Sequence, residues 1–201
     1  TTATLVADGI RRDAARAASF AADLTAQRME HGRLVPVEVA PVAAALEAGG
    51  QVERIRPRVF ALVPAPYEDS DSGALATLLG IDWAGAPAPP YDLVEGRLPQ
   101  AGETGVVVLG RGVAGKLGVG AEWQVPTTGA PHSLRIVGLL SDVVAVHGAN
   151  LALTSIEDVR AILAMPASHA SEIAIDLKPD SQVAAVADQL VARFGLRVVS
   201  R

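Results

Sequence analysis

VVVLGRGVAGKLGVG, residues Val106 to Gly120, reads as a strand, a glycine-rich turn and a helix. Gly110, Gly112 and Gly115 spell G-x-G-x-x-G, and Gly110 to Lys116 spells G-x-x-x-x-G-K. A dinucleotide fingerprint needs a long helix after the third glycine, a crossover to a parallel strand, and an acid about 20 residues on for the ribose. Here Gly118 and Gly120 break the helix almost at once, and the distant region is His132 to Arg135, with no acid. The Walker A reading fails one residue later. Leu117 stands where a Ser or Thr must reach Mg²⁺. The glycines have a structural task, closing tight turns at both ends of a short helix.

The rest of the chain can be placed around this turn. Residues 3–19 read as a helix with a weak apolar stripe at Val6, Ile10, Ala14 and Ala17. Residues 21–63 read as strand, helix and strand. The helix from Val39 to Leu46 carries Pro41 in its first turn and stops at Gly49-Gly50. Pro57 suits an edge or a bulge. Leu75 to Asp82 is a further strand, followed by the proline-dense AGAPAPPYD. Glu122 to Val125 and Ser133 to Leu139 flank TTGAPH as a β-hairpin, and Val143–Val146 and Leu151–Leu153 add short strands. Thr154 and Glu157 form a capping box for a helix that Pro166 stops. Glu172 to Leu177 alternates as a strand. Asp180 or Ser181 caps the best helix, whose apolar face is Val183, Val186, Ala187, Leu190, Val191 and Phe194. Gly195 ends it, and Leu196 to Ser200 is a last strand. The predicted fold is α+β. Residues 1–74 and 151–201 form a strand–helix–strand subdomain from both chain ends, and residues 75–150 form a β-rich inserted subdomain.

Composition excludes several functions. The chain has 201 residues, a net charge of -5 and no basic run, which argues against nucleic acid. Its only lysines are Lys116 and Lys178 beside fifteen arginines, a mark of genome composition rather than function. Charged residues are 19%, below the globular average, which points to surface that something else covers. With no cysteine, disulfides, thiolate catalysis and cysteine metal sites are out. Asp69, Asp71 and Gly73 start like a calcium loop, but Gly80 stands where the twelfth-position Glu belongs. His31, His132, His147 and His169 have no metal-ligand spacing, and no G-x-S-x-G, S-x-x-K or H-E-x-x-H is present. The expectation is therefore no catalytic, cofactor-binding or metal residue, and no enzyme. No run of 18 apolar residues occurs; the nearest, Val137 to Ile156, is interrupted by Asp142, His147 and Asn150. The uncapped, alanine-rich start and the stop right after a strand read as cuts from a longer chain.

Leu93 to Leu163 contains LVEGRLPQAGETGVVVLGRGVAGKLGVGAEWQV, then LRIVGLL, then ANLALTSIEDVRAIL. The turn at Leu93, Gly96, Arg97 and Leu98, the strand ending in Leu109-Gly110, the short helix ending at Gly118, and the hairpin strands Val119–Val125 and Leu134–Gly138 come in a characteristic order. The strand leading into a helix over Leu151–Ile162 completes it. ADLTAQR, RPRV and GID fit the first half. In this order the sequence resembles the extracytoplasmic core domain of MacB-type, FtsX-like ABC transporter permeases, which also occurs in lipoprotein-releasing permeases. Ala121-Glu122 departs from the pattern, which commonly has Asp directly after the glycine.

The resemblance implies a domain between the first and second transmembrane helices, on the periplasmic or outer face of the cell membrane. It implies a porter-like α/β part and an inserted β-rich part, with no cofactor. Its implied partners are a cytoplasmic ABC ATPase, a second permease copy, and an extracytoplasmic protein or lipoprotein substrate. The implied function is non-catalytic transmission of ATP-driven movement. Two alternatives stand beside it: a ligand-binding module for a lipid, peptide or lipoprotein, which needs an apolar groove, and a nucleotide-binding enzyme using Gly110 to Lys116.

Overall fold

A computed structural model describes residues 22–66, 75–84, 91–141 and 150–200. In chain order the elements begin β1 (Leu24–Glu30), β2 (Arg33–Val35), β3 (Val37–Glu38), α1 (Val39–Gly49), β4 (Val52–Pro64), β5 (Leu75–Ile81) and β6 (Leu93–Gly96). There follow β7 (Val106–Gly110), α2 (Arg111–Ala114), β8 (Glu122–Val125), β9 (His132–Leu140), β10 (Leu151–Ser155) and α3 (Ile156–Leu163). The chain closes with β11 (His169–Ala170), β12 (Glu172–Leu177), α4 (Val183–Phe194) and β13 (Arg197–Ser200). The class is α+β, as the sequence predicts. The helix expected over residues 3–19, the strand at Val143–Val146 and the loop acids Asp69 and Asp71 lie outside the described residues.

The chain forms two compact units, one comprising Ala21–Val59 with Ala164–Arg201 and the other containing Phe60–Leu163. These divisions fall at 59/60 and 163/164, where the sequence had placed them at 74/75 and 150/151. The physical reason is α3: Ile156, Val159 and Ile162 are buried, and the helix packs on β5 and β10 of the inserted unit.

The unit built from both flanks has strand order β13-β1-β12-β4. All its neighbours are antiparallel. Alternation sets one face: Leu24 and Ala26 of β1 with Ile173, Ile175 and Leu177 of β12 enter the core. Val42 and Leu46 of α1 and Val186 and Leu190 of α4 complete it. Burial of each such aliphatic side chain contributes about 1.5–3 kcal/mol. Val183 and Val191, predicted on the buried face of α4, are 42% and 51% exposed, because the core contact is made by Val186 and Leu190 with Ala187 and Phe194 packed beside them. The opposite sheet face carries half-buried ion pairs, Arg56 with Asp176 at 2.6 Å and Arg58 with Glu172 at 3.4 Å. Burial pushes the Arg58 guanidinium below its ordinary value despite Glu172.

Local chemistry fixes the element ends. β1 turns into β2 through His31 and Gly32, both at positive φ, as a two-residue hairpin turn requires. Gly50 and Gly195 end α1 and α4 in the left-handed conformation. The predicted cap of α4 is corrected: its N-cap is Gln182, without a side-chain cap bond. Ser181 Oγ instead donates to Gln51 O at 2.6 Å, tying the helix start to the start of β4.

The inserted unit has strand order β5-β10-β7-β9-β6, with β8 also pairing β9. All five residues of β7 are buried. It lies between β10, antiparallel, and β9, parallel. Glycine sets two close approaches here. A Cβ at Gly80 would sit 2.9 Å from Ile156 Cα and from Val159 Cγ2, so the absent side chain lets α3 rest on β5. A Cβ at Gly138 would sit 2.5 Å from Arg97 O, and one at Gly96 still closer to Val137 O. β6 thus crosses β9 backbone against backbone. Gly138→Ala is expected to destabilise the chain by about 1–3 kcal/mol, read from the urea midpoint. Gly118→Ala has no atom within 4 Å of the added carbon, and should leave the midpoint in place. Equal midpoints for both variants would show that the crossing relaxes freely.

Candidate functional site

The glycine-rich stretch is resolved by what flanks it. α2 is a single turn, closed by the Gly115 N–H donating to Arg111 O at 3.2 Å. A second turn follows, with the Gly120 N–H on Ile136 O at 2.8 Å, and the chain then enters the β8–β9 hairpin. No crossover helix stands between Gly115 and β8. The stretch is a scaffold turn that returns the chain to β9.

The polar centre of the inserted unit is Asp158, which the sequence reading did not single out. It lies in the first turn of α3 and is 3% exposed. The Gly105 N–H donates to its two oxygens at 3.0 and 2.9 Å, and Ser155 Oγ donates to Oδ2 at 2.7 Å. His132 Nε2 is 2.9 Å from Oδ1. Thr154 Oγ1 lies between Val106 O at 2.6 Å and Asp158 Oδ2 at 3.0 Å. One carboxylate so ties together the turn before β7, the start of β9, the end of β10 and the start of α3. The predicted capping box at Thr154 and Glu157 is displaced by one residue: Ser155 Oγ accepts from the Asp158 N–H at 3.0 Å. The sequence carried that signal too, since Ser155 and Asp158 also fit the box spacing.

The histidines do not converge. His31 is in the hairpin turn, His132 binds Asp158, His169 pairs Glu38 across β11 and β3, and His147 lies outside the described residues. Among the described residues no group of three or more His, Cys, Asp or Glu side chains is placed to hold a metal. Likewise, no helix among them is long and apolar enough to cross a membrane.

A second polar feature sits at the β6–β9 crossing. Arg97 Nη1 and Nη2 donate to the two Glu103 oxygens at 2.7 and 2.6 Å, a bidentate pair. The Gln100 N–H also donates to Glu103 at 2.9 Å. These bonds hold the Glu103 carboxyl down at about 2. The pair borders an open notch of about 440 Å³, lined by Gly96, Arg97, Val119, Gly120, Arg135 and the β9 residues Ile136 and Val137.

The sequence matches the model of the MacB-like periplasmic core domain over residues 1–193. The chain belongs to this family. The fold agrees with the periplasmic region of MacB from Actinobacillus actinomycetemcomitans at a TM-score of 0.60, with 15% identity over 91% of each chain. It agrees equally with the extracellular domain of the noncanonic ABC-type transporter YknZ from Gram-positive bacteria: TM-score 0.60, 13% identity, 90% of this chain and 98% of that one. No curated protein matches significantly. The protein is thus an extracytoplasmic domain of a MacB-like ABC transporter permease.

Two tests address this region. Asp158→Ala leaves the Gly105 N–H and the Ser155 hydroxyl without their acceptor, and should cost about 3 kcal/mol with faster exchange of the Gly105 amide. A loss below about 0.5 kcal/mol, the size of an ordinary surface change, would remove Asp158 from this role. The Glu103 carboxyl is depressed on folding, so its contribution is complete above about 4.5 and fades as pH falls through about 2. The stability difference between the parent chain and Glu103→Gln should be flat above that upper value and vanish at the lower one. A difference that does not change with pH would contradict the assigned pair.

Proposed function

We propose that this domain is a non-catalytic mechanical element. It passes ATP-driven movement of the membrane part to a substrate or partner protein outside the membrane, in an exporter or a lipoprotein-releasing permease. The observation that carries this reading is a register: Leu24 at the start of β1 pairs with Ser200 at the end of β13. The chain enters and leaves the flank-built unit side by side, on hydrogen-bonded neighbours about 5 Å apart. Two membrane helices attached there would act on one sheet. The same strand β1 is bonded to β12 on its other side, so a displacement at either flank reaches both. In this reading the flank-built unit is porter-like and takes up the movement. The cytoplasmic ATPase and a second permease copy belong to the same proposal.

The test uses the intact permease with its ATPase. The chain contains no cysteine, so Val183→Cys places one spin label in this domain of each copy, on an exposed position of α4. The expected result is a different inter-label distance in the ATP-trapped and nucleotide-free states. Distributions that coincide in the two states would overturn the mechanical reading.

A further inference from the structure

The two attachments of the flank-built unit are not held alike. β1 lies inside the sheet, with β12 on one side and β13 on the other. Its Leu24 and Ala26 are fully buried in the core. Side chains tie it further to β12: Asp23 Oδ2, just before the strand, accepts the Leu177 N–H at 2.8 Å, and Gln27 Nε2 donates to Glu172 at 2.9 Å. β13 is the edge of the sheet, and among the described residues β1 is its one strand neighbour. Arg197, Val199 and Ser200 are exposed, while Val198 is half-buried against the core. Among the described residues no side-chain hydrogen bond ties Arg197–Ser200 to the sheet.

The firm hold ends at one point. Arg28 Nη2 donates to Phe194 O at 3.4 Å, the Gly195 N–H donates to Val191 O at 2.9 Å, and Leu196 is 2% exposed in the core. Beyond Leu196, the ladder to β1 and the half-buried Val198 hold the last four residues. The register sets how that ladder yields. Leu24–Ser200 is its outermost pair, followed inward by Thr25–Val199, Ala26–Val198 and Gln27–Arg197. Load that pulls both attachments along the strands is spread over every pair and over β12. Load that draws the attachments apart falls on Leu24–Ser200 first and opens the pairs one at a time. A short edge with few buried apolar contacts is where local opening costs least.

Resting on the mechanical reading, we infer that β13 is a detachable strand. When the membrane part draws the two attachments apart, Arg197–Ser200 peels from β1, and β1 stays in the sheet beside β12. Movement common to both attachments still passes through β1. The chain's exit is then a compliant link and its entry a stiff one.

Amide hydrogen exchange, read by mass spectrometry on the intact permease with its ATPase, tests this. Exchange of residues 197–200 should differ about ten-fold between the ATP-trapped and nucleotide-free states, as a local opening would, while residues 172–177 of β12 exchange alike in both. The inference is overturned if residues 197–200 exchange alike in the two states. It is also overturned if both segments change together, since the sheet then opens as one body. Thr25 and Val199 are cross-strand partners, and the chain has no cysteine. The oxidised Thr25→Cys/Val199→Cys variant should therefore lose the difference, and reduction should restore it. A difference that survives the cross-link counts against detachment. If the Val183→Cys label distance changes with nucleotide and the exchange of residues 197–200 does not, the detachable strand fails and the mechanical reading stands; if neither changes, both fail.

Discussion

β1 pairs with β12 on one side and β13 on the other, so Leu24 faces Ile175 and Ser200 together. The flank-built unit rests on this double pairing. β1 supplies Leu24 and Ala26 to the core, and the residues that bury them arrive from the far end of the chain. Either flank alone would expose a half-core and an open strand edge. Together they make one antiparallel sheet in which load on one strand is shared by backbone hydrogen bonds with both neighbours.

The inserted unit is held differently. Its contacts allow little slack: two glycine approaches without room for a methyl group, and one buried carboxylate that binds four segments. Interiors packed this closely move as bodies rather than deform. Ala164, just past α3, takes a positive φ of 52°, uncommon outside glycine.

Much of this was legible in the sequence because it depends on local pattern. The unbroken apolar run at Val106–Leu109 became a fully buried strand, and Gly118 with Gly120 correctly ruled out a long helix. Gly50 and Gly195 end their helices as read. What escaped depended on partners distant in sequence. Thr154/Glu157 and Ser155/Asp158 are equally good capping boxes, and the choice is made by Gly105 and His132. Nothing in LVEG or VGLL tells that Gly96 and Gly138 meet. β3 and β11 are two residues each and, among the described residues, pair only with one another, too short to show a period. The Val183 and Val191 positions show a helix stripe wider than the sheet beneath it.

The discontinuous build also dictates an order of events at the ribosome. Residues 60–163 are contiguous and can close their sheet while synthesis continues. β1 is made first but must wait for β12 and β13, made last. Through that interval Leu24 and Ala26 sit on the part of β1 that the β1–β2 hairpin leaves unpaired, open to wrong pairing or to proteolysis. For a chain that is also being threaded across a membrane, the vulnerable species is the nascent one. A factor that shields a waiting β-strand during export would matter more to this protein than to one whose sheet neighbours are sequential.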